Sequence, residues 1–279
     1  MKVTLWGTRG SLASPGPETI RYGGNTPCVE VRSEDGTVLV LDAGTGIRRL
    51  GDAIVEEIER VDVLLTHLHM DHILGLGFFE PFFRPNIDVH LWGPSSHQLD
   101  LHARLSRYLS PPLFPVRLRD LPCQLTLHDV VSIGKFEIGP FTIQADLVCH
   151  PGPTVGYRIE ENGASFVYLP DHEPALGADD FPGDLDYVSG LGLARDADLL
   201  IHDTMYTAEE YPRYVGWGHS SLDDALAFAR AAGVRRLVTF HHDPGHTDAE
   251  LERQVEQASA STLPFQLLRG MEGETFEVG

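Results

Sequence analysis

Thr66-His67-Leu68-His69-Met70-Asp71-His72 is the stretch on which the reading of this chain turns. It follows Val61 to Leu65, a short apolar run that predicts a buried strand. Residues two apart in extended chain point to the same side. His67 and His69 can therefore present both imidazoles to one cation. Asp71 and His72 fall where the chain must turn, so they face elsewhere and can begin a second site. Imidazole with carboxylate suits zinc, and also manganese or iron. With no cysteine in the run, softer metals are disfavoured. An isolated histidine is usually structural, but three histidines and an aspartate closing one buried strand form a ligand cluster.

One loop cannot complete two sites, so distant partners are required. The best candidates share a context, since each follows a strand-like run. His150 follows Ile143 to Cys149, Asp171 follows Phe166 to Pro170, and His241 follows Leu237 to Phe240. Loops at strand ends are where rigid scaffolds carry reactive groups.

Outward from these residues, the chain alternates short strands with helices. Val3 to Trp6 predicts a strand, followed by a Gly/Pro-rich loop from Gly7 to Asn25. Val29 to Val31 and Val38 to Leu41 pair across Asp35-Gly36. Asp42 to Gly46 is a glycine-rich turn, and Ile47, Leu50, Ile54 and Ile58 have helical spacing. Val89 to Trp92 predicts a strand and His97 to Leu109 a helix, and Ser110 to Pro115 must be irregular because of its prolines. Strands follow at Gln124 to Leu127, Phe136 to Ile138, Phe141 to Val148, Val155 to Ile159 and Ser165 to Leu169. Then come Leu199 to His202 (strand), Ser221 to Ala232 (helix, capped by Ser220 or Ser221), Leu237 to Phe240 (strand) and Ala249 to Ala258 (helix). Strand-rich halves with interspersed helices predict two sheets packed face to face under helices, with residues 1–279 forming one domain.

The bulk properties fit that picture. The chain has 279 residues, 42% hydrophobic and 22% charged, the proportions of a globular protein. Cys28, Cys123 and Cys149 are far apart, which is neither a disulfide framework nor a zinc ribbon. Gly7 to Gly10 interrupt the N-terminal apolar run, so no signal peptide is predicted. No run is long enough to span a membrane. A cytoplasmic location is expected. The formal net charge of −20 disfavours long polyanions such as nucleic acid, though not small anions beside bound cations.

Taken together, His67, His69, Asp71 and His72 (H-x-H-x-D-H), then His150, Asp171 and His241, resemble the motif of the metallo-β-lactamase superfamily, from Val3 to at least Pro244. The resemblance implies a four-layer αββα sandwich with a dinuclear site at one edge. It implies that His67, His69 and His150 hold one divalent ion, that Asp71, His72 and His241 hold the other, and that Asp171 bridges them. Two ions, zinc first with manganese or iron as alternatives, would then hold a hydroxide between them at neutral pH. The proline after the family's final histidine matches Pro244 and selects His241 over its neighbour His242.

An aspartate at 171 resembles the phosphodiesterase-like branches. Leu199 to Tyr206, Gly218-His219-Ser220-Ser221 and Thr239-Phe240-His241 are similar to the C-terminal half of RNase Z. The resemblance makes His219 a general acid for the leaving oxygen, with Asp203 orienting it and Asp71 counted in the catalytic set. RNase Z carries a long tRNA-gripping arm between the matching His and Asp. Here His150 and Asp171 are 21 positions apart, so no arm fits. Trp6 to Ser11 and Tyr22 to Thr26 resemble hydrolases labelled cyclic-phosphate or cyclic-nucleotide phosphodiesterase-like. From this, Arg9 and Asn25, with His242, are expected to contact a small anionic substrate. His202 and His246 are candidates to line the pocket. Phe79, Phe82, Phe83, Trp92 and Tyr108 could wall it for a flat group. The expected function is hydrolysis of a small phosphodiester, a cyclic nucleotide or cyclic sugar phosphate. The alternatives are a lactonase or thioesterase, an RNase Z-like ribonuclease, or a non-catalytic binding protein on the same fold. A homodimer is a further expectation from the RNase Z likeness.

Overall fold

Strands with one buried face and strands buried on both faces together build this molecule. A computed structural model describes residues 1–131, 134–174, 176, 181–183 and 185–279. β1 (Lys2–Gly7) alternates buried and more exposed residues, as a sheet with one covered face requires. β3 (Val38–Leu41) and β10 (Ala164–Leu169) are buried throughout, the pattern of strands covered on both faces.

Among the described residues there are two sheets of seven strands each. The first contains β1, β2 (Cys28–Arg32), β3, β4 (Arg60–Leu64), β5 (Asp88–Pro94) and β6 (Gln124–Val130) in that spatial order. The second runs from β7 (Gly134–Ile138) through β8 (Phe141–Leu147), β9 (Val155–Glu161), β10, β11 (Leu199–Asp203) and β12 (Arg236–Phe240) to β13 (Gln266–Leu268). β14 (Thr275–Glu277) returns to the first sheet and pairs antiparallel with β1, Val3 opposite Phe276. Each sheet begins with antiparallel strands and ends in a parallel run, β3 to β6 and β10 to β13.

Val3, Leu5, Val31 and Leu39 from one sheet meet Phe141, Tyr157, Phe166 and Phe240 from the other in a shared core. Burying side chains of this kind contributes roughly 1.5–3 kcal/mol each. The outer face of the first sheet is covered by α1 (Ile47–Ile54), α2 (Met70–Ile73), α3 (Leu101–Leu105) and the turns around Phe79 and Phe82. The outer face of the second is covered by α4 (Leu191–Ala194) and α5 (Leu222–Ala232). α6 (Asp248–Ser259) follows, opened by a capping box between Thr247 and Glu250. The layers are therefore αββα, as the sequence predicts.

Three details differ from the sequence expectation. The helix expected from His97 to Leu109 is only α3, because Asp100 caps it by accepting from the Ala103 amide. β13 and β14 are additional strands, each three residues long. Phe79, Phe82 and Tyr108 lie in the outer core and Trp92 packs between the sheets, so they do not wall a pocket.

Candidate metal centre

The parallel runs of both sheets end at the same edge of the sandwich, and ligands in open α/β sheets bind beyond the carboxyl ends of such strands. β3 delivers Asp42, β4 delivers Thr66 to His72, and β8 is followed by His150. β10, β11 and β12 deliver Asp171, Asp203 and His241. Asp42 and His241 each adopt a left-handed backbone conformation, φ 57° in both, one residue past their strands. At His241 this turn separates the imidazole from that of His242. It also brings the His241 ring against Gly10, where any Cβ would come within 2.5 Å of Nδ1.

Two ligand sets result. His67, His69, His150 and Asp171 gather in one group, and Asp71, His72, Asp171 and His241 in another, each within 4.8 Å. The Asp171 carboxylate divides between them. Its Oδ2 lies 3.7 Å from both His67 Nε2 and His150 Nε2. Its Oδ1 lies 2.9 Å from His72 Nε2 and 3.3 Å from His241 Nε2. Asp71 Oδ2 is 3.3 Å from His72 Nε2 and 3.2 Å from His241 Nε2.

His67 Nε2, His72 Nε2 and Asp171 Oδ1 are buried without an aligned hydrogen-bond partner. Unsatisfied buried polar atoms are costly, and converging imidazole and carboxylate atoms of this kind fit a divalent cation. The opposite ring nitrogens are tied down, which fixes the tautomer. His72 Nδ1 donates to Asp42 Oδ2 (2.8 Å) and His150 Nδ1 to the Gly218 carbonyl (2.9 Å). Thr66 Oγ1 donates to Asp42, so His67 Nδ1, 3.1 Å away, donates to that hydroxyl. Burial, helped by neighbouring imidazoles, keeps His67 well below the usual histidine range and therefore neutral, as a ligand must be. Burial opposes charge on Asp171 as well, but His241 and then His72 outweigh it and hold the carboxyl ionised.

Beside the cluster, His219 Nδ1 donates to Asp203 Oδ2 at 2.7 Å. Its ring stacks on His241 at 4.9 Å. Burial works against its charge, but Asp203, then Asp171 and Asp71, push its pKa up to about 9. A cleft of about 640 Å³ opens next to His67 and His69, with Ser95, Ser96, His97 and Gln98 along it.

The three residues expected to touch substrate are placed elsewhere. The Arg9 side chain is fully buried and donates to the carbonyls of Gly23, Asp243 and His246. Asn25 is bound between Glu272 and Thr45. His242 donates from Nε2 to the Gly270 carbonyl and meets Tyr22 edge to face. Loop carbonyls with no strand partner need donors, and these polar side chains supply or receive them. The glycine-rich loop reaches the cluster instead through backbone, with the Ser11 amide donating to Asp71 Oδ2 at 2.8 Å. His202 is buried against His172 (2.9 Å), and His246 pairs with Glu210. His97, which no sequence signal marks as a site residue, lines the cleft.

Two positioning residues escape the sequence reading. Asp42 anchors both His72 and Thr66. Buried Glu173 accepts from the amides of Gly216 and Gly218 and from Tyr211 Oη. Asp42 closes a strand just as Asp171 does, which is a usable signal; Glu173 follows Asp171 by two residues and carries none.

Residues 37–242 match the family model described as the β-lactamase superfamily domain. Curated relatives include Ribonuclease Z of Thermoplasma volcanium, 25% identical over 96% of this chain and 97% of that protein. Ribonuclease Z of Gemmatimonas aurantiaca is 27% identical over 85% of each. Among solved structures, the metallo-β-lactamase fold protein YhfI of Bacillus subtilis superposes with a TM-score of 0.71 (20% identity, 99% of each chain). The short form of human tRNase Z gives 0.67 (20% identity, 100% of each). A diphosphatase of the PhnP family gives 0.70 (19% identity, 99% of this chain and 96% of that one). With its His/Asp cluster at the expected sheet edge, the chain belongs to the metallo-β-lactamase superfamily and is a hydrolase whose fold implies divalent metal binding.

Proposed function

We propose that this chain is a dinuclear metal-dependent phosphodiesterase acting on a small phosphodiester, a cyclic nucleotide or a cyclic sugar phosphate, with His219 as general acid. The observation that carries this reading is the Asp171 carboxylate, whose two oxygens face two separate ligand sets beside the His219–Asp203 pair. His67, His69 and His150 would hold one ion and Asp71, His72 and His241 the other, with Asp171 shared. Zinc suits the donors best, with manganese or iron as alternatives. Because the ligands come from both sheets, the whole chain acts as one unit.

Two divalent ions supply Lewis acidity and lower the pKa of water from 15.7 to about 7. The protein supplies the rest. Asp42 and Thr66 fix the ring orientations of His72 and His67. Asp203 holds His219 by Nδ1 and keeps it protonated at neutral pH, leaving Nε2 to give a proton to the departing oxygen. Expulsion of an alkoxide needs such an acid more than attack at a carbonyl does. The cleft lies in the size range of small-ligand sites. The walls nearest the cluster are His67, His69 and Pro151 to Pro153.

A ribonuclease is the second reading. It draws on the curated relatives named Ribonuclease Z, and it counts against the sequence expectation that nucleic acid is disfavoured. Against it, the chain between His150 and Asp171 contains only the hairpin β9–β10, with a turn at Asn162-Gly163. The net charge of −20 also repels a polyanion.

The test is turnover by zinc- or manganese-loaded protein of bis(p-nitrophenyl) phosphate, of 2′,3′-cyclic and 3′,5′-cyclic nucleotides, of a lactone, and of a precursor tRNA. Cyclic diester turnover without tRNA cleavage supports the proposal. Cleavage of tRNA in preference replaces it with the ribonuclease reading, and lactone turnover alone moves the chemistry to a carbonyl centre.

A further inference from the structure

The segment between Tyr206 and His219 carries a feature that the chemistry above does not use. Trp217 is 62% exposed although it lies two residues from the buried His219. It stands at the outer end of a ladder of rings. Trp217 meets Tyr214 edge to face at 5.5 Å. Tyr214 stacks on Tyr206 at 4.6 Å with 8° between the planes. Tyr206, 3% exposed, meets His219 edge to face at 6.1 Å. All three spacings lie in the range of favourable aromatic contact. A hydrophobic ring that packs on one side and stays open on the other presents a π-face for a ligand.

The backbone holds this segment firmly. The Trp217 amide donates to the Tyr214 carbonyl at 3.0 Å. The amides on either side of Trp217, at Gly216 and Gly218, both donate to the buried carboxylate of Glu173. Gly218 has φ +90°, and a Cβ there would come within 2.2 Å of His150 Nδ1. The same short stretch therefore orients the ligand His150 through the Gly218 carbonyl, displays an indole, and ends on the acid.

We infer that the turn from Tyr211 to Gly218 is the subsite for the nucleoside that carries the departing oxygen, with the base stacked on Trp217. The group that receives the His219 proton is the departing oxygen, so whatever that oxygen carries must lie on the His219 side of the cluster. Every nucleobase offers a π-face, and stacking on an exposed aromatic is tolerant of base identity. A mononucleoside adds no further phosphate charge, which suits a chain of net charge −20. The inference rests on the phosphodiesterase reading.

Two measurements on the metal-loaded full chain test it. In the first, adenosine is titrated while tryptophan fluorescence is read, with ribose as the control. Saturable quenching by adenosine is expected in the wild type and its loss in Trp217→Phe, since Trp6 and Trp92 are partly buried. In the second, methyl phosphodiesters that release adenosine or 2-methoxyethanol are compared in wild type, Trp217→Phe and Trp217→Ala. For the adenosine diester, Trp217→Ala should raise KM about tenfold with kcat within about twofold, the equivalent of about 1.4 kcal/mol. Trp217→Phe should stay near wild type, and the alkyl diester should be unaffected. No quenching, quenching that survives in Trp217→Phe, or equal losses on both diesters overturns the inference. Quenching that depends on Trp217 without hydrolysis of either diester keeps the nucleoside site and removes the phosphodiesterase reading.

Discussion

The two ligand sets share one carboxylate yet are built differently. Asp71, His72 and His241 are all buried, closed in by Asp42 behind His72, by Gly10 against His241 and by the Ser11 amide on Asp71. In the other set His69 is exposed, and the cleft opens beside it. Donors packed on every side keep their geometry without an ion, whereas a set with one exposed imidazole exchanges ligand and solvent readily. The closed set is therefore suited to retention and the open one to admission of substrate. His219 sits near both, stacked on His241 of the closed set and 5.2 Å from His150 of the open set.

The comparison breaks most severely at its shared member. Asp171→Ala should lower kcat/KM by on the order of 10⁴-fold, as when one member of a cooperative unit is removed, and metal content measured by atomic emission should fall at both sets. Two ions retained per chain would show that the sets do not depend on a common carboxylate. Next in size, His219→Ala should slow release of poor leaving groups by roughly 10²–10⁴-fold, and p-nitrophenolate release much less, with metal content unchanged.

A smaller effect sharpens the contrast itself. His69→Ala should release one ion from the open set and leave the second bound. Asp42→Asn should weaken metal binding by roughly 10–100-fold, with the loss falling on the ion next to His72 when measured by competition with a chelator. Wild-type protein that loses the closed-set ion first to a chelator would reverse the assignment of which set is held more firmly.

The pH dependence follows from the raised pKa of His219. A raised value means the protonated form persists to higher pH, so the rate with alkoxide leaving groups should fall as pH rises through about 9. The same sign applies to stability. The charged ring's contribution is fully present below about 6.5 and is lost as pH rises through about 9. In Asp203→Asn the basic limb should move to lower pH; a limb that stays put would assign it to another group. The smallest catalytic effect is expected at Arg9. Arg9→Ala should cost on the order of 3 kcal/mol of stability, since it strips partners from buried groups, while the folded fraction keeps its KM. A KM increase there would restore Arg9 as a substrate contact.

The residues that the structure gathers into the two ligand sets share one property. His67, His69, Asp71, His72, His150, Asp171 and His241 each stand just beyond an apolar run, and a polar ligand type at a buried strand's end has few structural explanations. Arg9, Asn25 and His242 are bonded within their own surroundings, and a polar residue beside a glycine-rich loop has two uses. It can face a ligand, or it can satisfy the loop's own carbonyls and amides, and sequence does not separate them. Asp42 carries the same strand-end signal but opens a glycine-rich turn, where aspartate is also common for local reasons. The contribution of Ser11 is a backbone amide, to which residue identity gives no clue. Of the fold, the buried strands were legible by their apolar runs, and β13 and β14 were not, being too short and too polar in context for a period to appear.

The return of β14 to the first sheet has a consequence for the order of assembly. Residues 275–277 fill the place beside residues 2–4, so the first sheet is finished only after every strand of the second has been synthesised. The ligands are spread as widely, from His67 to His241. A nascent chain can hold at most the His67 to His72 cluster in its early half, and the two ligand sets are complete only once His241 has been added. Pairing at such sequence separation slows folding, and it ties assembly of the cluster to the folding of both sheets.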